Sequence, residues 1–388
     1  MTGRNVKLFY FLESGLSLMG GIILPVYVLY FRHFDITLFQ VALLAAVFEA
    51  TIIVFEIPTG RFADRYGRRL STIIGFGLYA VSALIFLKFR SLPGFLAAEI
   101  IFGIAETFIS GALEALAVDS FPENERNECL PRLFSNRTTF KTAALLIGML
   151  FGGWLAGINL PMLFIPVLGV AILCLLAALF LIGKRPDRTG QTAGGKSSKF
   201  PFKTVFSGGM VTALFAVGLL SNFVYEPVDQ FWQVLFSEVK TLGAWYFGII
   251  TAAGMVLVVI FAGFSKRLYK WPGFYFSGAF ILIGFSLFAA SNLSIYPAAA
   301  GIIVYFALKE LIRPLISTHL NRHFESANRA TMLSAYNMVC SIGEVIAGVM
   351  AGILAQKYGI LFVFKFSIFG VLAVIMTYLS ISCIRPKN

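Results

Sequence analysis

The sequence predicts an all-α membrane protein, with twelve transmembrane helices in two pseudo-symmetric six-helix bundles. Composition predicts the class, because 58% of the 388 residues are hydrophobic, only 13% are charged and the mean hydropathy is +0.84. A soluble fold needs a charged exterior, so this composition excludes soluble enzymes, disordered chains and nucleic-acid-binding modules. Twelve apolar runs predict the helices, and features shared by the two halves of the chain predict the bundles.

A helix needs about 20 apolar residues to cross the hydrocarbon core of a bilayer. The predicted spans are 7–31, 37–58, 71–88, 92–118, 135–157, 161–183, 206–236, 242–264, 273–291, 295–320, 330–355 and 359–383. Two connections are long: the charged segment 119–134, and residues 184–205, where glycine and serine lie among basic residues. We predict two domains, 1–183 and 206–388, joined by the second segment as a flexible cytoplasmic linker.

The distribution of lysine and arginine predicts the orientation in the membrane. With the N-terminus in the cytoplasm, 23 of the 31 basic residues fall in cytoplasmic segments and 6 on the other side, while Lys309 and Arg313 lie within a span. Cytoplasmic loops carry the excess of basic residues in membrane proteins. We therefore expect both termini in the cytoplasm, and we attribute the net charge of +12 to orientation, not to nucleic-acid binding.

The two halves of the chain share features at corresponding positions. Residues 136–139 (Asn-Arg-Thr-Thr) before the fifth span are similar to residues 328–331 (Asn-Arg-Ala-Thr) before the eleventh. Both of these spans contain glycines four residues apart, a step that lets helices approach closely. Two parallel six-helix halves are typical of transporters.

Ionisable residues inside the spans follow a period of three helices. Spans 1, 4, 7 and 10 carry nine of them, whereas the interiors of spans 3, 6, 8 and 9 carry none. Charge inside a membrane is costly and marks a functional site by default. We therefore expect the first helix of each triplet to border a shared aqueous cavity and the third to face lipid. The nine residues are Glu13, Glu99, Glu106, Glu114, Glu226, Asp229, Lys309, Glu310 and Arg313.

These residues and their polar neighbours form the predicted site for substrate and a coupling proton. The candidates are Glu226 and Asp229 first, then Glu106, Glu13 and Glu344, and finally Glu49, Asn222, Gln230, Gln233, Lys309, Glu310 and Arg313. Span 7 has the clearest polar face, and Pro227 predicts a kink in it. Glu310 and Arg313, one turn apart, are equally consistent with a structural ion pair. Glu99 lies near a span end and is expected to reach the membrane surface or cap a helix.

The sharpest motif lies between spans 2 and 3, where residues 60–69 are Gly-Arg-Phe-Ala-Asp-Arg-Tyr-Gly-Arg-Arg. Its glycines permit a tight turn and close contact between helices. The segment resembles the signature loop G-x-x-x-D-R-x-G-R-R of the major facilitator superfamily in spacing and position. This resemblance implies a latch for the outward-open state, in which Arg68 pairs with Asp119 and Asp64 meets the start of helix 11, near 329–332. The implied latch residues are Gly60, Asp64, Arg65, Gly67, Arg68, Arg69 and Asp119.

The wider chain resembles bacterial twelve-helix drug-efflux members of this superfamily, notably at residues 56–60, 110–115 and 329–334. The resemblance implies a multi-pass protein of the bacterial inner membrane that transports by alternating access. Because the deeper charges are mostly acidic, we expect proton-coupled export of small cationic or amphipathic compounds such as drugs. Lys309 and Arg313 leave open an alternative: proton-coupled uptake, or facilitated diffusion, of a small metabolite that can be anionic.

An enzyme is not expected, because no H-E-x-x-H or G-x-S-x-G motif is present. The four cysteines are widely spaced and His319 and His323 lack a third ligand nearby, so no metal site is expected. We expect no catalytic residue and no cofactor, with the proton gradient as the energy source. The expected partners are a small-molecule substrate, protons and the lipid bilayer, with no nucleic acid, and we expect a monomer.

Overall fold

The computed structural model describes residues 2–121, 125–181, 210–262, 272–323 and 329–383. Over these ranges the chain forms twelve long helices and no strand. The helices are α1 (Thr2–Ile23), α2 (Leu38–Tyr66), α3 (Arg68–Lys88), α4 (Leu92–Val118), α5 (Arg126–Asn159), α6 (Phe164–Leu181), α7 (Met210–Val234), α8 (Trp245–Ala262), α9 (Pro272–Asn292), α10 (Ile295–His323), α11 (Arg329–Tyr358) and α12 (Ile360–Cys383). A 3-10 turn at Leu24–Val26 leads from α1 into a short helix, Tyr27–Arg32, and α7 ends in a π-helical turn at Leu235–Val239.

The helices have the length and apolar surface that a membrane requires. Nine of those in the described ranges are long and apolar enough to cross a bilayer, and two shorter apolar helices occupy Phe164–Phe180 and Trp245–Phe261. Large apolar side chains project from the sixth, ninth and twelfth helices: Phe180, Phe285 and Phe369 are 78%, 67% and 70% exposed. Apolar faces of this kind are suited to lipid rather than to water. The predicted class, an all-α membrane protein with twelve helices, is confirmed.

The chain divides into two compact units. The first comprises Met1–Ile36, Val47–Gly194 and Gly243–Ile249, and the second comprises Thr37–Ala46, Gly195–Leu242 and Ile250–Asn388. In the first unit α1 packs against α5 and α6, and α3 against α4 and α6; in the second, α7 packs against α11 and α12, and α9 against α10 and α12. The same pairing thus recurs six helices later. The predicted linker 184–205 lies outside the described residues, and the boundaries 1–183 and 206–388 stay a prediction.

Glycines allow the backbones of α1 and α5 to touch, as their spacing predicts. A Cβ at Gly152 would lie 2.1 Å from the carbonyl oxygen of Ile22, and one at Gly21 would lie 2.4 Å from that of Leu145. Both distances are well inside van der Waals contact, so a larger residue would force the two helices apart. On α11 a Cβ at Gly348 would lie 2.5 Å from the side-chain nitrogen of Gln230.

Two predicted loops are wrong, because hydropathy records only the apolar part of a helix. Helix α5 begins at Arg126, so much of the expected connection 119–134 is helical and only residues 119–125 separate α4 from α5. The signature segment 60–69 is also helical, apart from a break at Gly67 with φ of 97°. Such a conformation favours glycine. Gly60, expected at a tight turn, instead lies within α2, and a Cβ there would meet no described atom within 4 Å.

Candidate functional site

A cavity of about 610 Å³ lies in the second unit between α7, α10 and α11. Five of the predicted site residues line it: Asn222, Glu226, Asp229, Lys309 and Glu344. The remaining lining residues are Gly218, Ser221, Tyr225, Ile312, Ile316, Leu333, Tyr336, Asn337, Cys340 and Ser341. Within this unit, the expectation that helices 7 and 10 border a cavity is met. Helix 11 contributes as much of the wall, which the three-helix period does not predict.

An ion pair in the cavity joins α7 to α10. Asp229 accepts a hydrogen bond from the ammonium of Lys309 at Oδ2 and one of 3.0 Å from the hydroxyl of Tyr305 at Oδ1. The Asp229 and Lys309 side chains are only 24% and 21% exposed. The same hydroxyl oxygen lies 3.1 Å from the carbonyl oxygen of Tyr225, so its one proton is shared between the two acceptors. Asp229 thus has one cationic and one neutral donor, each on a different carboxylate oxygen.

Glu226 lies on the same face of α7, three residues before Asp229. Its Oε1 accepts a hydrogen bond of 2.7 Å from Nε2 of Gln230 one turn further on. Asn222, one turn earlier, donates to the carbonyl oxygen of Cys340 on α11, at 2.8 Å. The polar stripe predicted for α7 therefore supplies both a cavity-lining carboxylate and the contacts that fix this helix against α11.

The electrostatic balance of the cavity is acidic. Three carboxylates, those of Glu226, Asp229 and Glu344, share the lining with one ammonium, that of Lys309. A lining with more acidic than basic groups favours a cation over an anion. Asn222, Asn337 and the hydroxyl groups add neutral hydrogen-bonding partners.

Arg137 bridges two carboxylates in the first unit. Its guanidinium lies 2.9 Å from Oε1 of Glu13 on α1 and 2.9 Å from Oε2 of Glu114 on α4. The Glu13 side chain is 6% exposed and that of Glu114 is 44% exposed. The arginine thus neutralises a carboxylate that is nearly inaccessible, and it ties α5 to α1 and α4.

The other acidic candidates of the first unit lie apart from this bridge. Glu106 on α4 accepts a hydrogen bond from the hydroxyl of Tyr79 on α3. Glu49 lies in α2 and is partly buried. The expectation for Glu99 is wrong, because this residue is only 1% exposed and accepts a hydrogen bond of 2.7 Å from the hydroxyl of Tyr27. Seven residues into α4, Glu99 is covered by neighbouring helices.

In the second unit, three predicted site residues with described side chains are not part of the cavity lining. Gln230 contacts Glu226 from beside the cavity, and Gln233 is buried at 2% exposure one turn beyond Asp229. Glu310 follows Lys309 on α10 and does not line the cavity. The side chain of Arg313 lies outside the described residues, and so does its suggested pairing with Glu310.

The residues of the signature segment make several contacts within the first unit. Arg68 forms an ion pair with Asp119, as the family resemblance implies, and donates to the carbonyl oxygen of Ala115 at 3.0 Å. Arg69 donates to the carbonyl oxygen of Leu179, at 2.7 Å. Arg65 lies 5.3 Å from the ring of Tyr66. The expected approach of Asp64 to the start of α11, and the latch itself, stay predictions.

Several residues that contact the predicted carboxylates could not be identified from the spacing of charges in the sequence. Arg137 falls within the predicted span 135–157 but is counted with the basic residues of the cytoplasmic side, and the structure places it well inside α5. Tyr79 and Tyr305 supply the hydroxyl groups for two carboxylates, but nothing in the sequence separates them from the other twelve tyrosines. In the described residues no group of three or more His, Cys, Asp or Glu is placed to hold a metal ion.

Comparisons with known proteins place this architecture in context. The sequence model of the Major Facilitator Superfamily matches residues 9–308. The chain is 25% identical over 369 residues to YxaM of Bacillus subtilis (strain 168), described as an uncharacterized MFS-type transporter, covering 92% of this chain and 90% of the relative. It is 22% identical over 370 residues to Multidrug resistance protein 1 of the same strain, covering 91% of each. The crystal structure of the nucleoside transporter NupG matches with a TM-score of 0.81, at 13% identity, over 99% of this chain and 100% of that one. At that identity the structural likeness concerns the fold alone.

Proposed function

Because the chain belongs to the major facilitator superfamily, we propose that it exports small cationic or amphipathic compounds in exchange for protons, by alternating access. Membership makes it a multi-pass membrane transporter for a small molecule and not an enzyme. Coupling, direction and substrate charge are our proposal. It is carried by one observation: three carboxylates and a lysine line a single cavity in the second unit.

Competition between a proton and the substrate for one negative charge would couple proton transport to substrate transport. A carboxylate that faces a cavity in the membrane can be neutralised either by a proton or by a bound cation. Asp229 and Glu226 are the first candidates, since both line the cavity and both already accept hydrogen bonds there. When the site faces one side of the membrane it would exchange its cation for a proton, and on the other side the exchange would be reversed.

Two observations support a cationic substrate and export. Acidic groups outnumber basic groups in the lining, which favours a cation over an anion. A relative that aligns over 91% of each chain is named Multidrug resistance protein 1. The apolar lining residues Ile312, Ile316 and Leu333 would suit the hydrophobic part of an amphipathic compound.

The alternative is uptake of a small anionic metabolite by symport or facilitated diffusion. Its support is Lys309, whose ammonium lines the cavity and could pair with an anionic group. In this case substrate binding would have to separate Lys309 from Asp229, and the carboxylate of Asp229 would then take up a proton. The direction of transport and the charge of the substrate separate the two functions.

We further propose that the protein resides in the bacterial inner membrane, with both termini in the cytoplasm, and works as a monomer. The excess of basic residues in the expected cytoplasmic segments supports the orientation. The Arg68–Asp119 ion pair, close to the ends of α3 and α4, supports a role for the signature segment as a latch between conformations.

The test is transport into everted membrane vesicles with an acidic interior, using tetraphenylphosphonium as the cation. An exporter accumulates this probe in proportion to the pH gradient. Asp229→Asn and Glu226→Gln should each lower accumulation by about tenfold or more, because a lost counter-charge costs at least about 1.4 kcal/mol. Glu128→Gln, which removes an exposed carboxylate in the first turn of α5, is the matched control. Unchanged accumulation in both cavity variants would contradict the proposal.

A further inference from the structure

Glu99 in the first unit is a buried carboxyl group that the proposed exchange at the cavity does not use. Its residue is 1% exposed, and Oε1 accepts a hydrogen bond of 2.7 Å from the hydroxyl of Tyr27. Among the described residues, no lysine or arginine forms an ion pair with Glu99. A buried carboxylate without a counter-charge is costly, so the burial of this group favours the neutral acid.

The charged and titratable residues on the surrounding elements have other partners or are exposed. These residues are Tyr30 and Arg32 on the short helix Tyr27–Arg32, Tyr79 and Lys88 on α3, Arg90 between α3 and α4, Glu106 on α4 and Glu13 on α1. Tyr30 and Arg32 donate to backbone carbonyl oxygens, at 2.6 and 3.1 Å. Tyr79 donates to Glu106, and Glu13 pairs with Arg137. Lys88 and Arg90 are exposed. None of these contacts brings an opposite charge to Glu99.

The short helix Tyr27–Arg32 supplies both the hydrogen-bond donor and an apolar cover. The ring centre of Phe31 lies 4.8 Å from that of Tyr27 and 5.0 Å from that of Phe95, and both phenylalanines are fully buried. Phe95 precedes Glu99 by one turn, so it lies on the same face of α4, toward the start of that helix. The start of α4 is about 10 Å from Glu99 along the helix axis. The aromatic rings therefore shield the carboxyl group on the side where α4 begins.

A break in the first span separates this cover from α1. Pro25 lies in the 3-10 turn Leu24–Val26, and Val26 has φ of −134° and ψ of 13°, outside the helical region. Since proline has no backbone N–H, the turn interrupts the hydrogen bonds of the helix. Interrupted spans form ion and substrate sites in transporters, and such terminal residues are where segments pivot. The short helix is thus able to move without the rest of α1.

We propose that Glu99 is a proton-binding site of the first unit, with the short helix Tyr27–Arg32 as its cover. The carboxyl group holds its proton while Tyr27 and Phe31 lie beside it. When the short helix moves away, water reaches the group, the carboxyl O–H bond breaks, and the proton passes to water and leaves a solvated carboxylate. In the proposed orientation α4 begins on the side opposite the cytoplasm, so the proton is exchanged with that side. The site does not depend on the cavity of the second unit.

The first experiment records infrared spectra of the purified full-length protein in detergent at neutral pH. The C=O stretch of a protonated carboxylic acid is separate from the bands of ionised carboxylates. The wild-type protein should show an acid band that is missing from Glu99→Gln, a neutral variant of the same shape. Tyr27→Phe should keep this band but move it to higher frequency, because the carbonyl group loses its hydrogen bond. Glu128→Gln, the exposed control on α5, should leave the band unchanged.

The second experiment follows the same band after transfer into deuterated water, where exchange of the proton shifts its frequency. We expect exchange in the wild type, and about fivefold faster exchange in Tyr27→Phe, since one hydrogen bond no longer holds the cover in place. Tyr296→Phe, which removes an exposed hydroxyl from α10, should exchange at the wild-type rate. Tyr27→Phe keeps the ring and the acid, so it tests the cover even if Glu99→Gln folds poorly.

Three results would overturn the assignment. They are an identical acid band in wild type and folded Glu99→Gln, an acid band of Glu99 that never exchanges in the wild type, and equal exchange rates in wild type and Tyr27→Phe. The vesicle test with tetraphenylphosphonium addresses a different claim. If proton-driven export fails while the Glu99 band is present and exchanges, the proposed function is wrong and the proton site stands.

Discussion

At the scale of single residues, two acidic side chains inside the helices have an oppositely charged partner on another helix. Arg137 forms an ion pair with Glu13, and Lys309 forms one with Asp229. An ionised group without such a partner is costly in a membrane. The two ion pairs differ in what they can do, however. The Asp229–Lys309 pair borders a cavity, whereas Glu13 is almost fully covered and its guanidinium partner is shared with Glu114.

Loss of Arg137 should therefore destabilise the first unit. Arg137→Gln leaves the Glu13 carboxylate buried without a counter-charge, and removing one member of a buried pair costs about 3 kcal/mol or more. We expect a clearly lower unfolding temperature for the purified protein in detergent. Arg132→Gln, which changes an exposed arginine on the same helix, should not shift it. Partial recovery in the double variant Glu13→Gln, Arg137→Gln would support the charge argument, and an unfolding temperature equal to wild type in Arg137→Gln would contradict it.

At the scale of helices, contact between backbones depends on which face of a helix a glycine occupies. Gly20 and Gly21 are adjacent on α1, yet only the second faces α5. A Cβ at Gly21 would lie 2.4 Å from the carbonyl oxygen of Leu145, whereas a Cβ at Gly20 would meet no described atom within 4 Å. The sequence shows the small residues but not the face each one occupies.

This pair of glycines offers a matched test. Gly21→Ala must separate α1 from α5, and overpacking of this kind typically costs about 1–3 kcal/mol. Gly20→Ala should leave thermal stability unchanged or slightly raised. The measurement is the unfolding temperature of both variants under identical detergent conditions. Equal unfolding temperatures of the two variants would show that the close approach of α1 and α5 contributes nothing to stability.

At the scale of the whole molecule, a single repeat explains much of the architecture. The pairing of α1 with α5 recurs as that of α7 with α11, and the pairing of α3 with α4 recurs as that of α9 with α10. The chemistry is not repeated in the same way. In the second unit the charges line a cavity, whereas in the first an arginine joins two acidic side chains.

Orientation is a property of the whole chain, and the basic residues predict it. In a background whose cysteines are replaced by serine, Ser294→Cys between α9 and α10 should react with a membrane-impermeant maleimide added to intact cells. Glu125→Cys between α4 and α5 should react only after the cells are opened. Both positions are exposed. The opposite pattern of labelling would reverse the proposed topology.

Much of the fold and part of the site could be predicted from the sequence, for identifiable physical reasons. Apolar length predicts twelve helices because a bilayer fixes the length of a span. Helical periodicity predicts the stripe that includes Asn222, Glu226 and Asp229. The partners were harder to predict, because the roles of Tyr305 and of the cavity wall of α11 depend on packing between helices distant in the sequence. Arg137 was counted with the cytoplasmic basic residues because apolar length does not show that α5 begins as early as Arg126.

The central claim is that a proton and a cation compete for the carboxylates of the cavity between α7, α10 and α11. The most direct measurement adds tetraphenylphosphonium to the purified protein in weakly buffered solution and records proton release with a pH indicator. The account predicts release from the wild-type protein and from Glu128→Gln, and none from the variant that combines Glu226→Gln with Asp229→Asn. Equal release from that double variant would contradict the account.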